Sequence, residues 1–186
     1  MKQILFIMTA ILVMGFHFSS ATAQSIPTGM RIEMASHEDD DEEFEIFAYK
    51  DQDGTFGYYL SLGQITKLMD IIIDPQFTNT SFDDIKETCL CLGATPEEAF
   101  ATIDSLLELY DKEVGTTVEF PCRASLGVNK LGAADTTTCV VKKKPLGGKR
   151  LQFLFTCGNR RAESYLYKSV LKSLRQEFRR SERKNK

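Results

Sequence analysis

The sequence predicts an α+β single domain in which a mainly antiparallel sheet of about six strands packs with three to four helices. Two observations lead to that class: short stretches with alternating apolar residues are grouped in each half of the chain, and stretches of helical apolar spacing follow them. Length is the third, because the 163 residues from Gln24 onward fit one domain that can bury a core unaided.

Residues 1–23 read as a cleaved signal peptide. Met1 and Lys2 give a positive start, a largely apolar run of thirteen residues spans 4–16, and Ala21-Thr22-Ala23 supplies small residues before the cut. That run falls short of the roughly twenty apolar residues needed to cross a bilayer. Gln24 stands where lipid attachment requires a cysteine. The expectation is an exported soluble protein, periplasmic or extracellular, and not an integral membrane protein.

Strands are expected at 30–36, 44–50 and 55–62. Between the last two lies KDQDGTFGYY, residues 50–59, which invites a calcium reading. With Gly54 at position 6 of a helix-loop-helix calcium loop, Asp51 and Asp53 take positions 3 and 5, but Tyr49 and Leu60 occupy the ligand positions 1 and 12. Starting the loop at Asp51 puts Phe56 where glycine is needed and Leu62 at position 12. A turn is therefore expected. A three-residue loop of Gln52, Asp53 and Gly54, with the glycine left-handed, sets Asp51 opposite Thr55 and pairs Ala48 with Tyr58, Ile46 with Leu60, Phe44 with Leu62 and Glu45 with Ser61.

Three helices are expected next. The first, 64–74, is apolar at Ile65, Leu68, Met69 and Ile72 and stops at Asp74-Pro75. The second, 81–93, has Asp83 and Asp84 in its first turn and ends at Gly93. The third starts on the capping box Thr95-Pro96-Glu97-Glu98 and carries Ala99, Ile103, Leu106, Leu107 and Tyr110 on one face. Strands return at 116–123, 136–144 and 149–157, with Gly147-Gly148 turning the last pair. A final helix over 160–181 places Tyr167, Leu171, Leu174 and Phe178 on one stripe. The domain thus runs over 24–181, with 182–186 a mobile basic tail. No internal repeat is visible, although three strands followed by a helix occur in each half.

Charge separates along the chain. Residues 24–113 hold 21 acidic and 5 basic side chains, whereas 114–186 hold 5 and 17. The simplest resolution is that the two halves face each other within one molecule.

No complete catalytic constellation is present. The acidic run EDDDEE, 38–43, lacks the spacing of a defined metal site and reads as a solvated loop, and His37, the sole histidine after residue 23, adjoins carboxylates that favour its charged form. Cys89 and Cys91, placed on a helix, would diverge, and they lack the spacing of redox pairs. Cys122, Cys139 and Cys157 fall on strands, where buried small hydrophobes or one bridge are preferred to a zinc site. The five cysteines leave at least one thiol outside any intrachain bridge. Asn79-Thr80-Ser81 matches a glycosylation acceptor. PLGGKR lacks the first glycine and the Ser or Thr of a nucleotide loop and reads as a hairpin with a basic tip.

The candidate binding residues are basic: Lys142, Lys143, Lys144, Lys149 and Arg150 around that hairpin, and Lys168, Lys172, Arg175 and Arg179 at helical spacing. Like charges so spaced repel, which an anionic partner offsets. Export makes genomic DNA an unsuitable partner and leaves an acidic protein surface, an anionic glycan or a lipid head group. No cofactor or metal is implied. The function expected is binding or protein–protein interaction without a catalytic centre. The alternative is an exported hydrolase-like enzyme using carboxylates that the sequence does not identify.

Overall fold

A computed structural model describes residues 26–39, 42–64, 87–126, 129–145, 147–157 and 160–184. The described residues form one antiparallel sheet of eight strands in strictly sequential order, with two helices. The strands are β1 (Arg31–Asp39), β2 (Glu42–Lys50), β3 (Phe56–Gln64), β4 (Glu87–Gly93), β5 (Thr117–Ser125), β6 (Leu131–Lys143), β7 (Lys149–Cys157) and β8 (Arg160–Leu166); helix α1 (Pro96–Leu109) follows β4 and α2 (Lys168–Lys184) follows β8. This corrects the expectation of about six strands with three to four helices. Each half runs four strands and then a helix, rather than three.

Two segments account for the difference. Residues 87–93, expected within a helix, form β4, and the first part of the expected 160–181 helix forms β8. In β4, Leu90 and Leu92 enter the main core while Cys89 packs into a second apolar cluster on the other face. A strand covered on both faces shows no polar alternation, so its apolar run is not distinguishable from a helix by period. At its other end α2 continues to Lys184, past the expected limit of 181, and Glu182 is buried beside the Tyr58 hydroxyl. The signal segment, most of the 64–74 helix, the start of the 81–93 helix and the Asn79 motif lie outside the described residues.

The sheet curls so that β3 and β8 come into contact, and both helices fill its concave side. Ala99, Ile103 and Leu106 of α1 and Val170, Leu171, Leu174 and Phe178 of α2 are fully buried against strand residues such as Ile46, Tyr58, Leu60 and Phe153. The α1 start is as expected: Thr95 Oγ1 accepts from the Glu98 amide at 3.2 Å, and Glu98 Oε2 accepts from the Thr95 amide at 3.2 Å. The β2–β3 register is also as expected, with Ala48 opposite Tyr58, Ile46 opposite Leu60 and Glu45 opposite Ser61. Gly54 at φ 86° permits this turn, and the Asp51 amide donates to the Thr55 carbonyl at 2.7 Å.

Candidate functional site: a basic cleft between the helix ends

The C-terminal end of α1, the β6–β7 hairpin and the N-terminal end of α2 meet around an open cleft of about 420 Å³. Its lining includes Lys144, Lys149 and Lys168, the Tyr110 and Tyr167 side chains, and Gly147-Gly148. The hairpin turns on these two glycines, at φ 96° and 79°, a backbone region that side-chain-bearing residues adopt at a cost. That turn brings Lys144 and Lys149 together, because the Lys144 amide donates to the Gly148 carbonyl at 3.0 Å.

Each ammonium group is held by a partner within the chain. Lys144 Nζ lies 4.3 Å from the Tyr167 ring centroid, a cation over an aromatic face. Lys149 Nζ donates to the Lys112 carbonyl, just beyond α1. Lys168 Nζ pairs with Asp111 Oδ1 at 3.0 Å and lies 5.7 Å from the Tyr110 ring centroid. Tyr110 is itself fixed, since its hydroxyl donates to the Leu166 carbonyl at 2.7 Å, and burial pushes its pKa well above the ordinary phenol value.

Helix polarity explains part of this arrangement. The last turn of α1 carries no basic residue and the first turn of α2 no acidic one, so neither end is compensated by its own helix. Lys149 and Lys168 bring positive charge to the α1 C-terminus from elsewhere in the chain. The Asp111 carboxyl is held below the ordinary carboxylate range chiefly by the hydrogen bond from Lys168, with Lys149 and Lys172 adding to the positive field. A carboxylate already lies within the field of these lysines.

The nine expected basic residues divide into separate groups. Lys144, Lys149 and Lys168 line the cleft. Lys142 pairs across the ladder with Arg150, whose guanidinium carbon stacks 3.8 Å from the Tyr165 ring centroid. Lys143 lies opposite Lys149, so like charges face each other at two consecutive rungs of the hairpin. Such pairs are destabilising by a few tenths to about 1 kcal/mol. Lys172 is exposed on α2. Arg175 is committed elsewhere: its Nε and Nη2 donate to both oxygens of Asp104 at 2.6 and 2.7 Å, and Arg179 stands 5.8 Å from the Phe100 ring centroid. Sequence reasoning missed Tyr110, Tyr167 and Asp111. With the last helix begun at 160, Tyr167 read as one more residue of its apolar stripe instead of the junction where the helix starts.

Cys122, Cys139 and Cys157 lie on strands as expected, whereas Cys89 and Cys91 lie on β4 and not on a helix. Cys89 and Cys91 lie on a strand two residues apart and share the face of the second apolar cluster. Cys122 and Cys139 are buried free thiols on adjacent strands, but Cys139 pairs with Val118 and Cys122 with Asp135, four rungs apart. Burial pushes the Cys122 thiol up to about 11 and the Cys139 thiol up to about 12. Among the described residues no three His, Cys, Asp or Glu side chains form a metal-binding group. Of the acidic run expected as a loop, Glu38 and Asp39 end β1 and Glu42 and Glu43 begin β2, with Glu38 opposite Glu43, and no ion pair joins the Glu38 or Glu43 side chain to α2 among the described residues. No described helix is long and apolar enough to cross a membrane. No protein-family model, curated protein or solved structure matches the chain, so the fold and the cleft carry the functional reading alone.

Proposed function

We propose that this chain is an exported binding protein, without a catalytic centre of its own, whose basic cleft receives the anionic group of a ligand. The observation that carries the reading is the convergence of Lys144, Lys149 and Lys168 on one cleft from two sides of a hairpin and the start of a helix. Export rests on the character of residues 1–23.

Calorimetric titration with dextran sulfate, and with uncharged dextran as control, tests the reading. The charged polymer binds, the neutral one does not, and the affinity falls steeply from 50 to 300 mM NaCl as counterions compete. Replacing Lys144, Lys149 and Lys168 by Ala weakens binding by about tenfold or more, with the logarithmic salt dependence falling by roughly one unit per lysine lost. Replacing Lys142, Lys143 and Arg150 removes the same charge outside the cleft and has the smaller effect. Equal losses from the two triple variants would show that total charge, not the cleft, holds the polymer.

A further inference from the structure

A sheet in sequential order has two edge strands, here β1 and β8. β8 comes into contact with β3 where the sheet curls, whereas no strand bonds to the outer side of β1 among the described residues. A free edge of this kind is a template for a further strand.

Two outward amides of β1 are taken by side chains. The Arg31 amide donates to Asn129 Oδ1 at 3.1 Å, and the Ser36 amide donates to Glu177 Oε2 at 3.3 Å. In a regular strand, positions five apart turn their amides to opposite sides. The register shift between Glu33 and Ala35 adds one residue and restores the parity, so both amides face away from β2. Met34 and Ala35, consecutive in the chain, are accordingly both buried in the main core.

The two acceptors come from separate parts of the fold. Asn129, between β5 and β6, also accepts at its carbonyl from the Tyr49 hydroxyl at 3.4 Å. Glu177 adjoins Phe178, whose buried ring packs against Phe100 and Tyr58 and fixes that turn of α2. Both bonds to β1 are exposed, so water serves their partners nearly as well and they add little to stability. Their effect is on what else bonds there, since an added strand needs the same donors.

From these contacts we infer that Asn129 and Glu177 guard the free edge of β1, keeping it from pairing antiparallel with β1 of a second copy. Symmetry and charge both single out that occupant. One strand on two copies related by a two-fold axis offers matching donors and acceptors, and the contact closes on itself. Centred on the register shift, the pairing sets Glu33 opposite Ser36 of the second copy and Arg31 opposite its Glu38, a cation against an anion.

Sedimentation equilibrium of the whole chain over a concentration series tests this. In the Asn129→Ala, Glu177→Ala double variant the average mass rises with concentration toward about twice that of the parent chain, as a two-fold pair requires. Adding Ser36→Pro returns it to the parent's mass, because proline removes an outward donor and leaves the β1–β2 ladder its bonds. Glu177→Gln keeps the acceptor and the parent's mass. Far-UV circular dichroism checks the fold of each variant. Alanine is favoured at an exposed helical position, so Glu177→Ala alone, with the same rise at higher concentration, decides the matter where the double variant does not fold. An unchanged mass in the folded double variant, or in Glu177→Ala in its stead, would overturn the guard role. Association that survives Ser36→Pro would overturn the β1 edge as its place.

Discussion

Asp51 shows how one side chain can serve a turn and a tertiary link together. Its Oδ1 accepts from the Gln52 amide at 2.7 Å and its Oδ2 accepts from Arg123 at 2.6 Å, while Arg123 Nε donates to the Gly132 carbonyl at 2.6 Å. The tip of the β2–β3 hairpin is thereby tied to β5 and to the start of β6. Replacing Asp51 with Ala leaves the half-buried Arg123 without its carboxylate and is expected to cost about 1–3 kcal/mol in urea denaturation. A loss below about 0.5 kcal/mol would show that water replaces the carboxylate fully. The turn was legible in sequence because Asp51, Gly54 and Thr55 act within five residues of one another. Arg123 was not, being 72 positions away and reached only through the folded sheet.

At the scale of elements, α2 is the plug of the curled sheet. Phe178 is fully buried, with its ring centroid 4.7 Å from that of Phe100 on α1 and 5.4 Å from that of Tyr58 on β3. Its truncation to Ala removes contacts with a helix and with the sheet at once, so a loss of about 3–5 kcal/mol is expected, read as a fall in the denaturation midpoint at unchanged slope. The stripe that includes Phe178 was visible from its spacing, as was the capping box that starts α1. β8 was not visible. Its sequence RRAESYL carries charges that resemble a helix surface, and the real helix begins only after Tyr167. Of the cleft, the basic residues could be named from sequence, but their division into lining and non-lining groups depends on where β8 ends and α2 begins.

Across the whole molecule, three ion pairs among the described residues join the acidic half to the basic half. Arg123, Lys168 and Arg175 from the basic half pair with Asp51, Asp111 and Asp104 from the acidic half. The cationic partners Arg123, Lys168 and Arg175 are the first causes that hold these three carboxyls below the ordinary value of 3.8. Their stabilising effect is therefore present above about pH 4 and lost as pH falls through their lowered folded values. Cys122 and Cys139 act in the opposite direction. Burial raises their pKa from 9.0 to about 11 and about 12, so stability is full below pH 9 and declines as pH rises through that interval. Thermal unfolding followed by circular dichroism under reducing conditions is expected to give a plateau between about pH 5 and 8.5 with a fall on each side. The Cys122→Ala, Cys139→Ala double variant is expected to have a shallower alkaline fall, and an unchanged one would remove the thiols from this account. The sequential strand order has a consequence in time. Every rung joins strands adjacent in the chain, so hairpins can assemble as they emerge, but α2 reaches back across 141 residues from Glu177 to Ser36 on β1. Until α2 is made, Phe44, Ile46 and Tyr58 have no helix to cover them on that side, so completion of the core waits on a segment made more than a hundred residues later.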